Sequence, residues 1–126
     1  MGLGISFISA GFPSPAEDFT ALSISLDKHL IQNPAATFMA YANGNSMIRA
    51  GIYNGDILII DRSLNARDGD IIIAILLGGF TVKQLSIVKD TFSLIPRNPQ
   101  YSPVKISGDM DFEIWGVVTY SISKHQ

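Results

Sequence analysis

Most of this chain is a succession of short segments rich in branched and aromatic residues, with no stretch of helical periodicity between them. From Ala36 onward the segments are Thr37 to Ala42, Ile57 to Asp61, Asp70 to Leu77, Phe80 to Leu85, Thr91 to Ile95 and Phe112 to Ser121. Branched and aromatic side chains favour extended strands, and strands this closely spaced pair with their neighbours as antiparallel sheet. The sequence therefore predicts a mainly β fold of strongly coiled antiparallel sheets or a partly open barrel.

Turn-forming residues separate these segments. They are Asn43-Gly44-Asn45, Asn54-Gly55-Asp56, Asp68-Gly69-Asp70, Gly78-Gly79 and Arg97-Asn98-Pro99. Because Gly78-Gly79 lies between two apolar runs and glycine readily adopts positive φ, it predicts the two-residue loop of a β-hairpin.

A short helical segment is expected before the strands. Ser14 is a candidate N-cap with Glu17 completing a capping box, and a further turn is predicted from Leu26 to Ile31. We therefore divide the chain into an N-terminal arm with a short helix, residues 1–32, and a β-rich domain, residues 33–126.

Charge, hydropathy and cysteine content exclude several classes of function. The 9 Lys and Arg residues against 11 Asp and Glu residues give a net charge of -2 with no basic run, so no direct sequence-specific DNA binding is expected. The longest uncharged apolar stretch, Ile71 to Val82, is shorter than the roughly 20 residues that span a bilayer, so no membrane association is expected. The absence of cysteine excludes disulfides and thiol chemistry and is consistent with a reducing cytoplasm.

The two histidines, His29 and His125, do not form a recognisable catalytic or metal-binding pattern. No GxSxG motif accompanies them, and no second histidine stands at ligand spacing. The aspartates between Asp56 and Asp70 do not match a calcium-binding loop and are better explained as turn residues. The sequence therefore predicts neither a metal site nor a cofactor.

One serine and one lysine remain as candidates for chemistry. Ser46 follows a glycine-containing turn, where its hydroxyl is exposed and the N–H groups of Ser46 and Met47 can point at one oxyanion. Lys83 lies inside the apolar strand segment Phe80 to Leu85, with no acidic residue nearby in sequence. If burial lowers the pKa of this lysine, its neutral amine can act as the general base for the serine. The residues alone leave a second interpretation open, a solvated lysine on the exposed face of a strand.

Several blocks of sequence, in their order and spacing, resemble the UmuD and LexA family of self-cleaving serine peptidases. The blocks are Gly11-Phe12-Pro13-Ser14-Pro15-Ala16, Gly44-Asn45-Ser46-Met47, Gly51-Ile52-Tyr53-Asn54-Gly55-Asp56, Phe80-Thr81-Val82-Lys83, Leu94-Ile95-Pro96, Tyr101-Ser102-Pro103 and Trp115-Gly116-Val117-Val118. The resemblance runs from Gly11 to about Tyr120 and implies the fold of the LexA C-terminal domain.

The resemblance also implies a site and a reaction. It gives Ser46 as the nucleophile, Lys83 as its general base, the backbone N–H groups of Ser46 and Met47 as the oxyanion hole, and Ala10–Gly11 as the bond that is cut. Cleavage of this kind is assisted by a RecA filament on single-stranded DNA during the bacterial SOS response. The shortened product is expected to form a homodimer in the cytoplasm and to join a UmuC-type error-prone translesion polymerase.

Two other functions are compatible with the same residues. One is a non-catalytic dimeric binding module of the polymerase in which the Ser46 and Lys83 pair is vestigial. The other is a peptidase that cuts other proteins, as leader peptidases with a similar pair do, although the lack of a transmembrane anchor argues against it. The strand from Phe112 to Tyr120 is apolar enough either to contribute to a dimer interface or to lie in the core.

Overall fold

The computed structural model describes residues 25–126, which fall into two units divided between Gln32 and Asn33. In the first unit a single helix, α1, spans Leu26–Leu30, and the N–H of Ile31 donates a hydrogen bond to the carbonyl oxygen of Asp27. The turn predicted from Leu26 to Ile31 is therefore present. The predicted helix start at Ser14 and the predicted cleavage bond Ala10–Gly11 lie outside the described residues.

The second unit is one open antiparallel sheet of seven strands. The strands are β1 (Thr37–Tyr41), β2 (Ile57–Asp61), β3 (Ile71–Leu76), β4 (Gly79–Val88), β5 (Thr91–Ile95), β6 (Val104–Lys105) and β7 (Phe112–Ile122). They lie in the order β1-β2-β7-β3-β4-β5-β6, so that β1 and β6 form the two edges. Two 3₁₀ turns, at Pro34–Ala36 and Ile48–Ala50, precede and follow β1. The prediction of a mainly β, partly open fold is confirmed.

The sheet carries a hydrophobic cluster on each face because successive side chains of a strand point to opposite sides. On β3, Ile73 belongs to one cluster, whereas Ile72 and Ala74 belong to the other. The first cluster consists of Ala42, Met47, Ile52, Leu58, Ile60 and Ile73, and the second of Ile72, Ala74, Leu85, Leu94 and Val117. Full burial of one such aliphatic side chain contributes about 1.5–3 kcal/mol. Since β7 lies between β2 and β3, Val117 is a core residue.

Two details differ from the sequence-based expectation. The loop between β3 and β4 consists of Leu77 and Gly78, not Gly78 and Gly79, because Leu76 already pairs with Gly79. Leu77 and Gly78 both have positive φ, which a tight turn of this twist requires, and the Leu77 N–H is donated to the Asp111 carbonyl oxygen. The short edge strand β6 was not predicted, because two residues are too few to show alternation.

A close approach between β2 and β7 explains one glycine. A Cβ atom at Gly116 would lie 2.6 Å from Cγ2 of Ile60, nearer than side chains pack. The backbone of β7 can lie this close to Ile60 of β2 because residue 116 has no side chain. Within residues 25–126, no helix combines the length and the hydropathy needed to cross a membrane.

Candidate active site

The segment that follows β1 brings Ser46 beside Lys83 of β4 through a glycine turn. Gly44 has a φ of 91°, and its N–H donates a hydrogen bond to Oδ1 of Asn54 at 2.8 Å. Met47 is only 2% exposed and anchors the segment in the first hydrophobic cluster. The hydroxyl of Ser46 is thereby held by a buried neighbour on one side and a hydrogen-bonded turn on the other.

Hydrogen bonds with the turn at Arg97-Asn98-Pro99 also hold the segment that contains Ser46. Asn98, which is 7% exposed, donates from Nδ2 to the carbonyl oxygen of Asn45 at 2.9 Å, and the N–H of Arg49 donates to the carbonyl oxygen of Arg97 at 2.8 Å. The sequence indicated only a turn at Arg97-Asn98-Pro99. A contact across so many residues leaves no local pattern, so this positioning role of Asn98 could not be read from the sequence.

Lys83 projects from β4 toward Ser46. Its Nζ lies 3.0 Å from Oγ of Ser46, 2.8 Å from Oγ1 of Thr81 and 3.0 Å from the carbonyl oxygen of Val82. Thr81 and Lys83 are two residues apart on one strand and so share a face. The structure therefore brings together the two candidate residues that the sequence singled out.

The surroundings of the Lys83 amine favour its neutral form. Desolvation by burial lowers the pKa of Lys83 below its usual 10.5. Each of the three oxygen atoms near Nζ is uncharged, so within residues 25–126 no carboxylate holds the proton in place. A neutral amine has two N–H groups and one lone pair. If the N–H groups donate to Thr81 and Val82, the lone pair faces the Ser46 hydroxyl.

The backbone around Ser46 offers hydrogen-bond donors. Within the described part of the chain, neither the N–H of Ser46 nor that of Met47 donates a hydrogen bond to another residue. Both groups are thus available to an oxygen atom held beside the Ser46 hydroxyl, as an oxyanion hole requires.

A cavity of about 430 Å³ opens beside Ser46 and Lys83, and we call it the active-site cavity. Its lining is largely apolar and comes from five strands and the Ser46 segment: Met39, Ala40, Tyr41, Ala42, Asn43, Ser46, Leu58, Ile60, Ile73, Phe80, Thr81, Val82, Lys83 and Trp115. The ring of Trp115 lies 5.3 Å from that of Phe38 and 5.8 Å from that of Phe80, and the Arg62 guanidinium stacks on it at 4.4 Å. A largely apolar cavity of this kind suits a peptide with small or apolar side chains.

The other candidate residues do not contribute to this cavity. His125 lies beyond the end of β7, His29 is in α1, and Asp56 and Asp61 are engaged in hydrogen bonds that hold turns and chain ends. Among residues 25–126, no three histidine or acidic side chains are arranged to bind a metal ion.

Comparison with known proteins gives consistent relationships. The family model for peptidase S24-like proteins matches residues 4–119. The chain is 40% identical to the protein MucA of Salmonella typhimurium over 119 residues, which cover 94% of this chain and 81% of MucA. It is 42% identical to the protein SamA of the same species over 91% of this chain and 79% of SamA. It is also 36% identical to the LexA repressor of Stenotrophomonas maltophilia, over 87% of this chain and 52% of the repressor.

Proposed function

The chain belongs to the peptidase S24-like family, as its resemblance to UmuD and LexA predicted, and on that premise we propose that it is a serine peptidase that cuts its own Ala10–Gly11 bond. Ser46 is the nucleophile and Lys83 the general base. The observation that carries this proposal is the 3.0 Å separation between Nζ of Lys83 and Oγ of Ser46, in surroundings that lower the pKa of the lysine.

The reaction follows from these positions. The Lys83 lone pair takes the proton of the Ser46 hydroxyl while Oγ attacks the carbonyl carbon of Ala10. The N–H groups of Ser46 and Met47 stabilise the resulting oxyanion. The Lys83 ammonium then protonates the nitrogen of Gly11, the carbon–nitrogen bond breaks, and residues 1–10 remain as an ester on Ser46. Water, deprotonated by the same lysine, hydrolyses that ester and regenerates the serine.

The second half of the proposal concerns what the cut chain does. A RecA filament on single-stranded DNA favours the cleavable pose of the arm and so shifts a conformational population without supplying chemistry. The shortened chain then forms a homodimer in the bacterial cytoplasm and acts as the accessory subunit of a UmuC-type translesion polymerase during the SOS response. The likeness to MucA, SamA and LexA repressor over most of this chain supports this assignment.

Mass spectrometry tests the peptidase. Purified chain incubated at about pH 10, where an ordinary lysine is close to half neutral, should lose residues 1–10. Ser46→Ala and Lys83→Ala should each abolish the loss, whereas Ser102→Ala and Lys124→Ala, at exposed positions away from the cavity, should cleave like the parent chain. Full-length parent chain that persists both at this pH and with an activated RecA filament would falsify the proposal.

A genetic assay tests the role of the product. In a bacterium lacking its own UmuD-type protein, the parent chain should support damage-induced mutagenesis and Ser46→Ala should not. A Ser46→Ala chain that begins at Gly11 should restore it, because only the cut is missing. If Ser46→Ala in the full chain supports mutagenesis as well as the parent, the serine and lysine pair is vestigial and the chain is a binding module. Sedimentation of the shortened chain at micromolar concentration should show a dimer.

A further inference from the structure

A second cavity reaches Lys83 from another side. Its volume is about 230 Å³, and it is lined by Leu76, Gly79, Phe80, Thr81, Lys83, Leu94 and Val104. It shares Phe80, Thr81 and Lys83 with the active-site cavity, but Ser46 lines only the active-site cavity. Lys83 therefore stands between two cavities, of which one contains the nucleophile and the other does not.

The register of the sheet places this second cavity on the Lys83 face of β4. Thr81 pairs with Ala74 and Lys83 with Ile72, so their side chains share a face with the second hydrophobic cluster. Leu94 and Val104 pair with each other across β5 and β6 and close the far wall. Apart from Thr81 and Lys83, every side chain in the lining is apolar. A cavity whose walls are apolar apart from these two residues favours an apolar occupant.

Resting on the self-cleavage described above, we propose that the second cavity binds the side chain of Phe12, the second residue after the scissile bond. The acyl half of the substrate becomes bonded to Ser46 and so belongs to the active-site cavity. The amine half must receive its proton from Lys83, and it leaves on the side of Lys83 that Ser46 does not line. Gly11 has no side chain, which makes Phe12 the first residue on the leaving side that can fill a cavity.

Size and chain length both permit this occupant. An apolar cavity of about 150 Å³ is large enough to hold a benzene molecule, and the second cavity is larger. Between Phe12 and Asn33, the start of the β-rich unit, the chain has enough residues to span roughly 60 Å even with α1 kept helical. Reach therefore does not restrict where on that unit Phe12 can bind, and the cavity provides specificity for an aromatic or large aliphatic side chain at this position.

Self-cleavage rates of the full chain test the proposal. Phe12→Ala should cleave about tenfold more slowly than the parent, as the loss of a side chain from an apolar subsite does, and Phe12→Leu should retain most of the rate. Gly79→Leu fills the cavity from its wall, and a Cβ there meets nothing closer than the Leu76 carbonyl oxygen at 3.8 Å. It should slow cleavage similarly, and adding Phe12→Ala to it should cause less than about twofold further loss because the subsite is already closed. Gly108→Leu, at an open glycine that lines neither the active-site cavity nor the second cavity, is the matched control and should cleave like the parent.

A binding measurement separates this proposal from the cleavage on which it rests. In the Ser46→Ala chain, the methyl resonances of Leu76, Leu94 and Val104 should differ between the Phe12 and Phe12→Ala versions. If those resonances respond to Phe12 but no chain is ever cut, the subsite stands and the peptidase fails. If the chain is cut and neither the rates nor the resonances respond to Phe12, the subsite is refuted. Resonances that depend on protein concentration and not on residue 12 would assign the cavity to a second copy of the chain and overturn the proposal.

Discussion

Replacing Thr81 with valine removes one of the three oxygen atoms around Nζ of Lys83 while keeping the shape of the side chain. In the structure the Thr81 hydroxyl lies 2.8 Å from Nζ, nearer than Ser46 or Val82. With that hydroxyl gone, the neutral amine has only the Val82 carbonyl to fix an N–H group. The amine then rotates more freely, and its lone pair faces the Ser46 hydroxyl for less of the time.

The size of the effect follows from the value of one hydrogen bond. A hydrogen bond contributes about 0.5–1.5 kcal/mol net, which corresponds to about two- to twelvefold in rate. We therefore expect the self-cleavage rate of Thr81→Val at high pH to fall about fivefold. Thr81→Ser keeps the hydroxyl and should stay within about twofold of the parent.

The pH profile distinguishes a positioning role from general damage. The Thr81 hydroxyl stabilises the ammonium more than the neutral amine, so its loss should lower the pKa of Lys83 further. The midpoint of the rate–pH curve should move to lower pH while the plateau falls. Rates measured by mass spectrometry between pH 6 and 11, with the thermal midpoint of each variant as control, provide the check. A plateau equal to that of the parent, or a Thr81→Ser chain as slow as Thr81→Val, would refute this reasoning.

Three further predictions follow from the described contacts. In the parent chain, the cleavage rate should rise with pH to a plateau, and the midpoint of the rise should lie below pH 10.5 because burial lowers the pKa of Lys83. A midpoint at or above pH 10.5, from rates measured by mass spectrometry, would contradict the lowered pKa. Gly116→Ala should lower the free energy of unfolding by about 1–3 kcal/mol, because the new Cβ would overlap Ile60. Gly108→Ala has open space around it and should leave the free energy of unfolding unchanged. Denaturant titration of the two variants and the parent measures the difference. Hydrogen bonds donated by the Ser63 hydroxyl, and to a smaller extent by the Asn33 amide, lower the pKa of Asp61 below 3.8. The Asp61 carboxylate therefore stabilises the fold above pH 3.8, and this stabilisation is lost as the pH falls through the lowered pKa. An Asp61→Ala chain whose free energy of unfolding at pH 7 equals that of the parent would disprove the contribution.

The strands could be predicted because their determinants are local. Branched residues between turn signals gave β2 and β5 at their observed bounds and the other long strands to within three residues. The β3–β4 loop was misplaced by one residue because two adjacent glycines give the same local signal, and the choice between them depends on the Leu77 contact with Asp111 in a distant segment. Strand order was not predictable for the same reason, since β7 pairs with β2 and β3 from far along the chain.

The candidate site was predictable only in part. Ser46 and Lys83 were candidates because one hydroxyl follows a glycine turn and one cation lies within an apolar strand, and their roles came from the resemblance to UmuD and LexA. Asn98 did not stand out, because an asparagine before proline is ordinary in a turn and its hydrogen bond to Asn45 joins segments 53 residues apart in sequence. The aromatic contacts of Trp115 with Phe38 and Phe80 likewise depend on strands that the sequence does not order.

The position of Lys83 within β4 supports its proposed role as a base, because no acidic side chain among residues 25–126 contacts its amine. Among the described strands, β5 pairs with β4 only from Gln84 onward, so the half of β4 from Gly79 to Lys83 pairs with β3 alone. The Ser46 hydroxyl lies 3.0 Å from Nζ of Lys83 in this half of the strand, and Leu85, two residues further along, is buried in the second hydrophobic cluster. Desolvation from the core lowers the pKa, and neutral oxygens orient the amine. A carboxylate beside the amine would instead raise the pKa of Lys83 and keep it protonated. Among residues 25–126, no acidic side chain lines either cavity around Lys83, as the proposed mechanism requires.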